Sequence, residues 1–157
     1  MSRTSLVKLQ SIAFSYTALT LLFLASGCTF NHDWKQATRQ SSPAAGLEGP
    51  WEGSWKSDVD GHSGRLRSLI RKKTDALYEA RFHANYRKIL TFNYTVLLTT
   101  ERTHGAFQFH GAANLGWYAG GVYKYEGHAD ATNFFSTYSS KYDRGTFELR
   151  RPAVADH

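Results

Sequence analysis

The sequence predicts an all-β domain of about eight antiparallel strands that close into an up-and-down barrel. Three observations support this prediction. From Trp51 onward, apolar and polar residues alternate with period two, which is typical of half-buried strands. Short polar turns separate the alternating runs, and no segment after residues 1–27 shows a convincing helical period. Because eight antiparallel strands in a row would expose two long edges, a closed barrel is favoured over the alternative, a β-sandwich.

The first four predicted strands combine aromatic or aliphatic residues on one face with polar residues on the other. They cover residues 51–56, 65–71, 78–84 and 90–98. In the first strand, Trp51 and Trp55 share a face with Gly53. An Asp-Gly turn, ending at Gly61, separates this strand from the second.

The last four predicted strands are shorter and richer in aromatic residues. They cover residues 107–109, 123–127, 134–138 and 146–150. Asp143 is interpreted as a hairpin-turn residue before the last strand, with Gly145 taking a positive φ angle. The scattered glycines of this half are expected at bulges or bends of a curved sheet.

The first 28 residues have the features of an export signal. Arg3 and Lys8 form a short basic start, an apolar stretch follows to Leu24, and small residues precede Cys28, the single cysteine. The stretch is interrupted by polar residues and is short for a membrane-spanning helix, which needs about 20 apolar residues. Residues 1–27 are therefore predicted to be a signal peptide. Ordinary secretion, which would leave Cys28 as a free thiol, is the alternative.

The run from Leu22 to Cys28 resembles the lipobox of bacterial lipoproteins, although Ala25 stands where leucine is usual. The resemblance implies that Cys28 is the lipid-attachment residue, carrying acyl chains such as palmitate, and that it begins the mature chain. Since Thr29 rather than aspartate follows, it also implies an envelope protein in the outer membrane that faces the periplasm. Two or more acyl chains make such an anchor stable.

The predicted mature chain contains one domain. It keeps 130 of the 157 residues, enough for a packed core. Residues 28–46 are polar and weakly patterned, which predicts a flexible tether; residues 47–152 form the barrel and residues 153–157 a disordered tail. Lipidation of the single cysteine leaves no disulfide, so packing alone must stabilise this exported domain.

Positive charge is concentrated in the predicted hairpin over residues 62–88. The signal peptide carries Arg3 and Lys8 and no acid, so the net charge of +6 falls to about +4 in the mature chain. The residues expected to meet an anionic surface are Arg65, Arg67, Arg71, Lys72 and Lys73. A solvated outer face of the sheet is the simpler interpretation. Nucleic acid is not an expected partner of an exported chain.

Gly49-Pro50-Trp51 and Gly53-Ser54-Trp55 resemble the G-x-W opening of the calycins, the lipocalin and avidin barrels. The resemblance covers most of residues 47–152 in strand count and spacing. It implies that Trp51 and Trp55 belong to the closed end of a calycin-like barrel, where Arg150 or Arg151 stacks on the tryptophan. The stretch from Leu115 to Pro152 also resembles small exported bacterial proteins, a likeness that implies no function.

Motifs for catalysis or metal binding are not found in the sequence. The seven histidines form no H-x-H or H-E-x-x-H pattern, and no G-x-S-x-G is present. His104, His110 and His128 could meet at one rim of a barrel, but scattered surface histidines are the simpler interpretation. We therefore expect no enzyme activity, no metal and no cofactor.

The most informative candidates for a site are the aromatic residues that the period-two alternation places on the inward face of the strands. The predicted ligand-binding residues are Tyr78, Phe82, Phe92, Tyr94, Phe109, Tyr123, Tyr125, Phe134 and Tyr138. Such side chains either fill the barrel or line an apolar pocket with hydroxyl groups. The sequence thus predicts a non-catalytic envelope lipoprotein that binds a small apolar or aromatic ligand. The alternative is an interaction protein that binds an anionic partner through the basic hairpin.

Overall fold

A computed structural model describes residues 29–40, 46–86 and 90–153. In it, eight strands are joined in chain order. They are β1 (Gly49–Ser57), β2 (Ser63–Lys72), β3 (Leu77–Tyr86), β4 (Leu90–Thr103), β5 (Ala106–Asn114), β6 (Val122–Ala129), β7 (Asn133–Ser139) and β8 (Arg144–Arg150). Each strand pairs antiparallel with the next, and β8 pairs with β1, which closes the barrel. The predicted fold class is confirmed.

The barrel has two ends, which we name by the loops they carry. The upper end carries the turns 58–62, 115–121 and 140–143, the second of which includes a 3₁₀ turn at Trp117–Ala119. The lower end carries the turns 73–76, 104–105 and 130–132. The chain also enters β1 and leaves β8 at the lower end.

The core follows directly from the period-two alternation, because alternate side chains of a strand point to the same face. In the pair formed by β3 and β4, Phe82 lies opposite Tyr94 and Ala80 lies opposite Val96, and all four face inward. Large, fully buried side chains such as Trp51, Phe134 and Leu98 fill the lower half of the barrel. Toward the upper end the described side chains leave space inside the barrel.

The prediction of a flexible tether over residues 28–46 is wrong for residues 29–40, which form a helix, α1. Phe30 and Trp34 are buried and stand one helical turn apart, and the partly buried Ala37 and Thr38 continue the same stripe. This spacing of four and three residues is the helical signal that polar composition concealed. Among the described residues, no helix is long and apolar enough to cross a membrane.

The described residues fall into two compact units. Residues 29–33 belong to one, and residues 34–153, with the whole barrel, belong to the other. The predicted signal peptide, Cys28 and residues 154–157 of the predicted tail lie outside the described residues.

Candidate functional site

The upper half of the barrel contains a cavity of about 530 Å³. It reaches from the barrel axis to side chains such as Phe92 and Asn114, which are exposed at the end of the barrel. The aromatic residues of its wall are Trp55, Tyr86, Phe92, Tyr94, Tyr123, Tyr125, Tyr138 and Phe147. They come from six strands, so the closed sheet itself assembles the wall.

The cavity exists because inward positions near the upper end carry small residues where the lower end carries large ones. Ala84 lines the wall at a position where Phe82, two residues earlier, fills the axis. Gly145 leaves room beside the Tyr138 hydroxyl, since a Cβ there would lie 2.7 Å from that oxygen and would also overlap the Lys56 carbonyl oxygen. Gly145 does not take the positive φ angle predicted for it; it is required for this close approach.

Two lining residues, Tyr94 and Tyr125, stack on the buried ring of Phe82, which lies outside the lining. The Phe82 ring lies 5.3 Å from the Tyr94 ring and 6.4 Å from the Tyr125 ring, measured between centroids. The Tyr94 and Tyr125 rings are themselves stacked, with centroids 6.4 Å apart. Burial raises the pKa of both phenols above the ordinary value, so both keep their protons at neutral pH.

A carboxylate faces this aromatic wall. Asp143 lines the cavity, and its Oδ1 accepts a hydrogen bond from the Ser57 hydroxyl at 2.7 Å, whereas its Oδ2 accepts one from the Tyr138 hydroxyl at 3.2 Å. Burial and the neighbouring negative charge of Asp143 raise the pKa of Tyr138. Asp143 does occupy the predicted turn, where its carbonyl oxygen accepts from the Ser140 amide. Its carboxylate, however, is directed into the barrel.

The cavity brings together five of the nine predicted ligand-binding residues: Phe92, Tyr94, Tyr123, Tyr125 and Tyr138. The other four pack in the core outside the cavity lining. Tyr78 contacts Phe107 edge to face, and Phe109 stacks on Phe134 with centroids 4.7 Å apart. Sequence reasoning could not separate the two sets, because both occupy the same alternation class.

Several lining residues were not predicted. Phe147 continues the inward alternation of β8 and could have been found by that signal. Trp55 was assigned to the closed end. Tyr86 likewise continues the inward alternation of β3. Asp143 carries no periodic signal because a turn positions it, and Asn93 belongs to the outward alternation of β4.

The lower end is closed by Trp51 and Arg151. The Trp51 side chain has no exposed surface, and the Arg151 guanidinium carbon lies 3.7 Å from its ring centroid. Of the two arginines that the resemblance offered, Arg151 closes this end and Arg150 does not, because the alternation of β8 directs Arg150 outward, opposite Glu52. Trp55 is not at this end; at the upper end its Nε1 donates to the Asn85 carbonyl at 3.0 Å.

Most cations of the predicted anionic-surface patch already contact other groups. Arg65 pairs with Glu52 at 2.7 Å, Lys72 with Asp75 at 2.7 Å and Lys73 with Glu79 at 3.2 Å. The Arg67 guanidinium lies over the Trp34 ring at 5.2 Å, and burial lowers its pKa. Arg71 is exposed. Three of the five cations of this predicted surface are therefore paired with neighbouring carboxylates.

Two of the described histidines share a groove on the outer face of the barrel. His110 and His128 face outward on β5 and β6, where they line a groove of about 650 Å³ with Glu101 and Glu126. In the described parts of the chain, no group of three or more metal-ligating side chains is close enough to hold an ion. His83 is buried on the outer face, and its Nδ1 lies 2.7 Å from Asn93 Oδ1.

Exposed apolar side chains surround the mouth of the cavity. They are Val59, Leu90, Phe92, Trp117, Val122 and Tyr142. Trp117 is the most prominent, with a relative exposure of 91%.

In comparisons with known proteins, no protein-family model, no curated protein and no solved structure matches this chain. The class of protein is therefore defined by the structure: a closed, eight-stranded, up-and-down β-barrel with an aromatic cavity at one end.

Proposed function

We propose that this protein is a non-catalytic binding module that holds a small apolar or aromatic ligand in the upper cavity. The observation that carries the proposal is the wall itself: eight aromatic residues around about 530 Å³ of space, with few polar groups. Ligand pockets in proteins have this size and this ratio of apolar to polar lining. The rings of Tyr123, Tyr125 and Tyr138 can contact a flat ligand with their faces, and their hydroxyls can orient it.

A fluorescence titration with N-phenyl-1-naphthylamine, a neutral aromatic probe, tests the proposal. Ala84→Phe places a ring in the cavity, whereas Ala112→Phe makes the same change at an exposed position on the outside of β5. We expect the first variant to weaken probe binding by about tenfold or more, which corresponds to about 1.4 kcal/mol, and the second to bind as the parent protein does. Thermal denaturation of both variants checks that they remain folded.

The proposal would be rejected if the parent protein failed to bind the probe, or if both phenylalanine variants bound it equally well. Equal binding would place the probe on the apolar rim rather than in the cavity.

The envelope location is a separate part of the proposal. It has the support of the lipobox-like run before Cys28. Cys28→Ser is expected to abolish metabolic labelling with palmitate and to release the protein into a soluble fraction. Unchanged labelling and membrane retention would contradict a lipid anchor at this residue.

Two further proposals have less support. A calycin relationship is favoured by the contact of the G-x-W tryptophan, Trp51, with a basic residue, Arg151. Binding of an anionic partner through the basic hairpin is less favoured, because Arg65, Lys72 and Lys73 already form ion pairs. Exposed pairs of this kind are weak, however, so a strongly anionic surface could still compete for these cations.

A further inference from the structure

The charge of the upper cavity is asymmetric. Asp143 contributes a carboxylate, and no described lysine, arginine or histidine lines the cavity. His62 lies behind Tyr86, with ring centroids 5.2 Å apart, but it is paired with Asp60 at 2.6 Å. Lys141 lies over the Tyr142 ring, on the outside of the turn. The described lining therefore offers negative charge and aromatic faces, with no compensating cation.

We propose that the natural ligand of this cavity is an organic cation, an ammonium group carried on an apolar or aromatic body. This inference rests on the proposed function and names the chemical class of its ligand. The faces of aromatic rings attract cations electrostatically, and the attraction is strongest where the cation is removed from water. Cages of aromatic residues with a nearby carboxylate use both effects.

The rings form a continuous wall that leads to the carboxylate. The Tyr123 ring lies 6.5 Å from that of Tyr125 and 6.0 Å from that of Tyr138, and the Tyr138 ring lies 5.0 Å from that of Phe147. Tyr138 is also the residue whose hydroxyl donates to Asp143. An ammonium group close to Asp143 would thus contact ring faces on the same side of the cavity.

The hydrogen bonds of Asp143 leave it able to receive a cation. Each of its oxygens accepts one bond, from Ser57 or from Tyr138. A carboxylate oxygen has two acceptor positions, so each can accept a further N–H or contact an alkylated ammonium. The two hydroxyl donors hold the carboxylate in place without neutralising its charge.

The same arrangement selects against other ligands. A carboxylate, sulfonate or phosphate ligand would bring a second negative charge toward Asp143 and find no described basic residue in the lining. A neutral ligand would gain the ring contacts but nothing from the charge. Preference for a cation over its neutral isostere is therefore the measurable sign of this site.

Isothermal titration calorimetry with three probes of similar size tests the inference. Phenyltrimethylammonium is the cation, tert-butylbenzene is its neutral isostere, and benzenesulfonate is the anion. We expect the cation to bind about tenfold or more tightly than the neutral isostere and the anion not to bind. This comparison uses the unmodified protein and does not depend on any variant folding.

Two variants then assign the preference to one carboxylate. Asp143→Asn keeps an acceptor for Ser57 but removes the charge, and it should reduce the preference for the cation over the neutral isostere to the part that the aromatic rings alone provide. Asp58→Asn removes an exposed carboxylate outside the cavity lining and should change neither affinity. Circular dichroism confirms that both variants are folded.

The outcomes separate the two proposals. Equal affinity for the cation and the neutral isostere would overturn the organic-cation inference and leave the binding function standing. Tight binding of benzenesulfonate would overturn it in the same way. Failure of all three probes and of the naphthylamine to bind would reject the binding function together with the inference.

Discussion

Replacement of Arg151 tests how the barrel is closed at its lower end. The guanidinium covers the ring of Trp51, Nη1 donates to the Glu48 carbonyl at 2.6 Å, and Nη2 donates to the Gly46 carbonyl at 2.6 Å. Trp51 in turn donates from Nε1 to the Leu47 carbonyl at 2.9 Å. One side chain near the end of the barrel thus holds the segment that enters β1.

The expected loss of stability can be estimated from these contacts. A partly desolvated cation–π contact is worth about 1–2 kcal/mol. A buried hydrogen bond from a charged donor contributes about 1.5–3 kcal/mol, which we discount to about 0.5–1 kcal/mol for each short bond because these carbonyls are partly exposed. Arg151→Ala should therefore lower the free energy of unfolding by about 2–4 kcal/mol. Arg151→Lys keeps the charge but cannot span both carbonyls, so it should lose about half as much.

Urea denaturation followed by tryptophan fluorescence measures this loss, with thermal unfolding as a second measure. At about 4 °C per kcal/mol for a domain of this size, Arg151→Ala should lower Tm by about 8–16 °C. Arg150→Ala is the matched control: its side chain faces outward and should change stability by no more than about 0.5 kcal/mol. If the two alanine variants lost the same stability, the closing role of Arg151 would be refuted.

Two further predictions follow from packing and from titration. Gly127→Ala should destabilise the barrel by about 1–3 kcal/mol in urea denaturation, because the new Cβ would overlap the Phe135 carbonyl oxygen and lie 2.7 Å from Phe109 Cζ. Gly46→Ala is the control, since a Cβ at Gly46 has open space around it. Equal losses of stability in the two variants would contradict the packing argument. Absorbance at 295 nm should show three tyrosines that ionise well above pH 10 in the folded protein: Tyr94, Tyr125 and Tyr138. The unfolded chain releases these protons at about pH 10, whereas the folded chain retains them, so the free energy of unfolding should fall as the pH rises above 10. Ionisation of all tyrosines near pH 10 without unfolding would contradict the burial of these three phenols.

The strands could be predicted because their signal is local. Alternation of inward Phe134, Ser136 and Tyr138 with outward neighbours is visible in the sequence, and the closed sheet places each of them as expected. The strand over 107–109 was predicted too short, since β5 continues through Gly111 and Ala113, whose small side chains give almost no periodic signal. Small inward residues are required there by the curvature and packing of the barrel, which the sequence does not display.

The parts of the candidate site that sequence reasoning missed depend on contacts between distant segments. Asp143 was read as a turn residue, yet its carboxylate is fixed by Ser57, 86 positions away in the chain. The choice between Arg150 and Arg151 also stayed open, because Arg151 lies one residue beyond β8, where the alternation that directs Arg150 outward no longer applies. α1 was missed because only two of its residues, Phe30 and Trp34, are buried, and polar residues surround them.

The two chain ends of the barrel are neighbours, and both lie at the lower end. Gly46, just before β1, and Arg151, just after β8, are joined by a hydrogen bond at the lower end, on the side away from the cavity mouth. The segment that leads into β1 therefore joins the barrel at the end opposite the mouth. A label placed at Gly46 or just after Arg151 would lie at that end, away from the side chains that line the cavity.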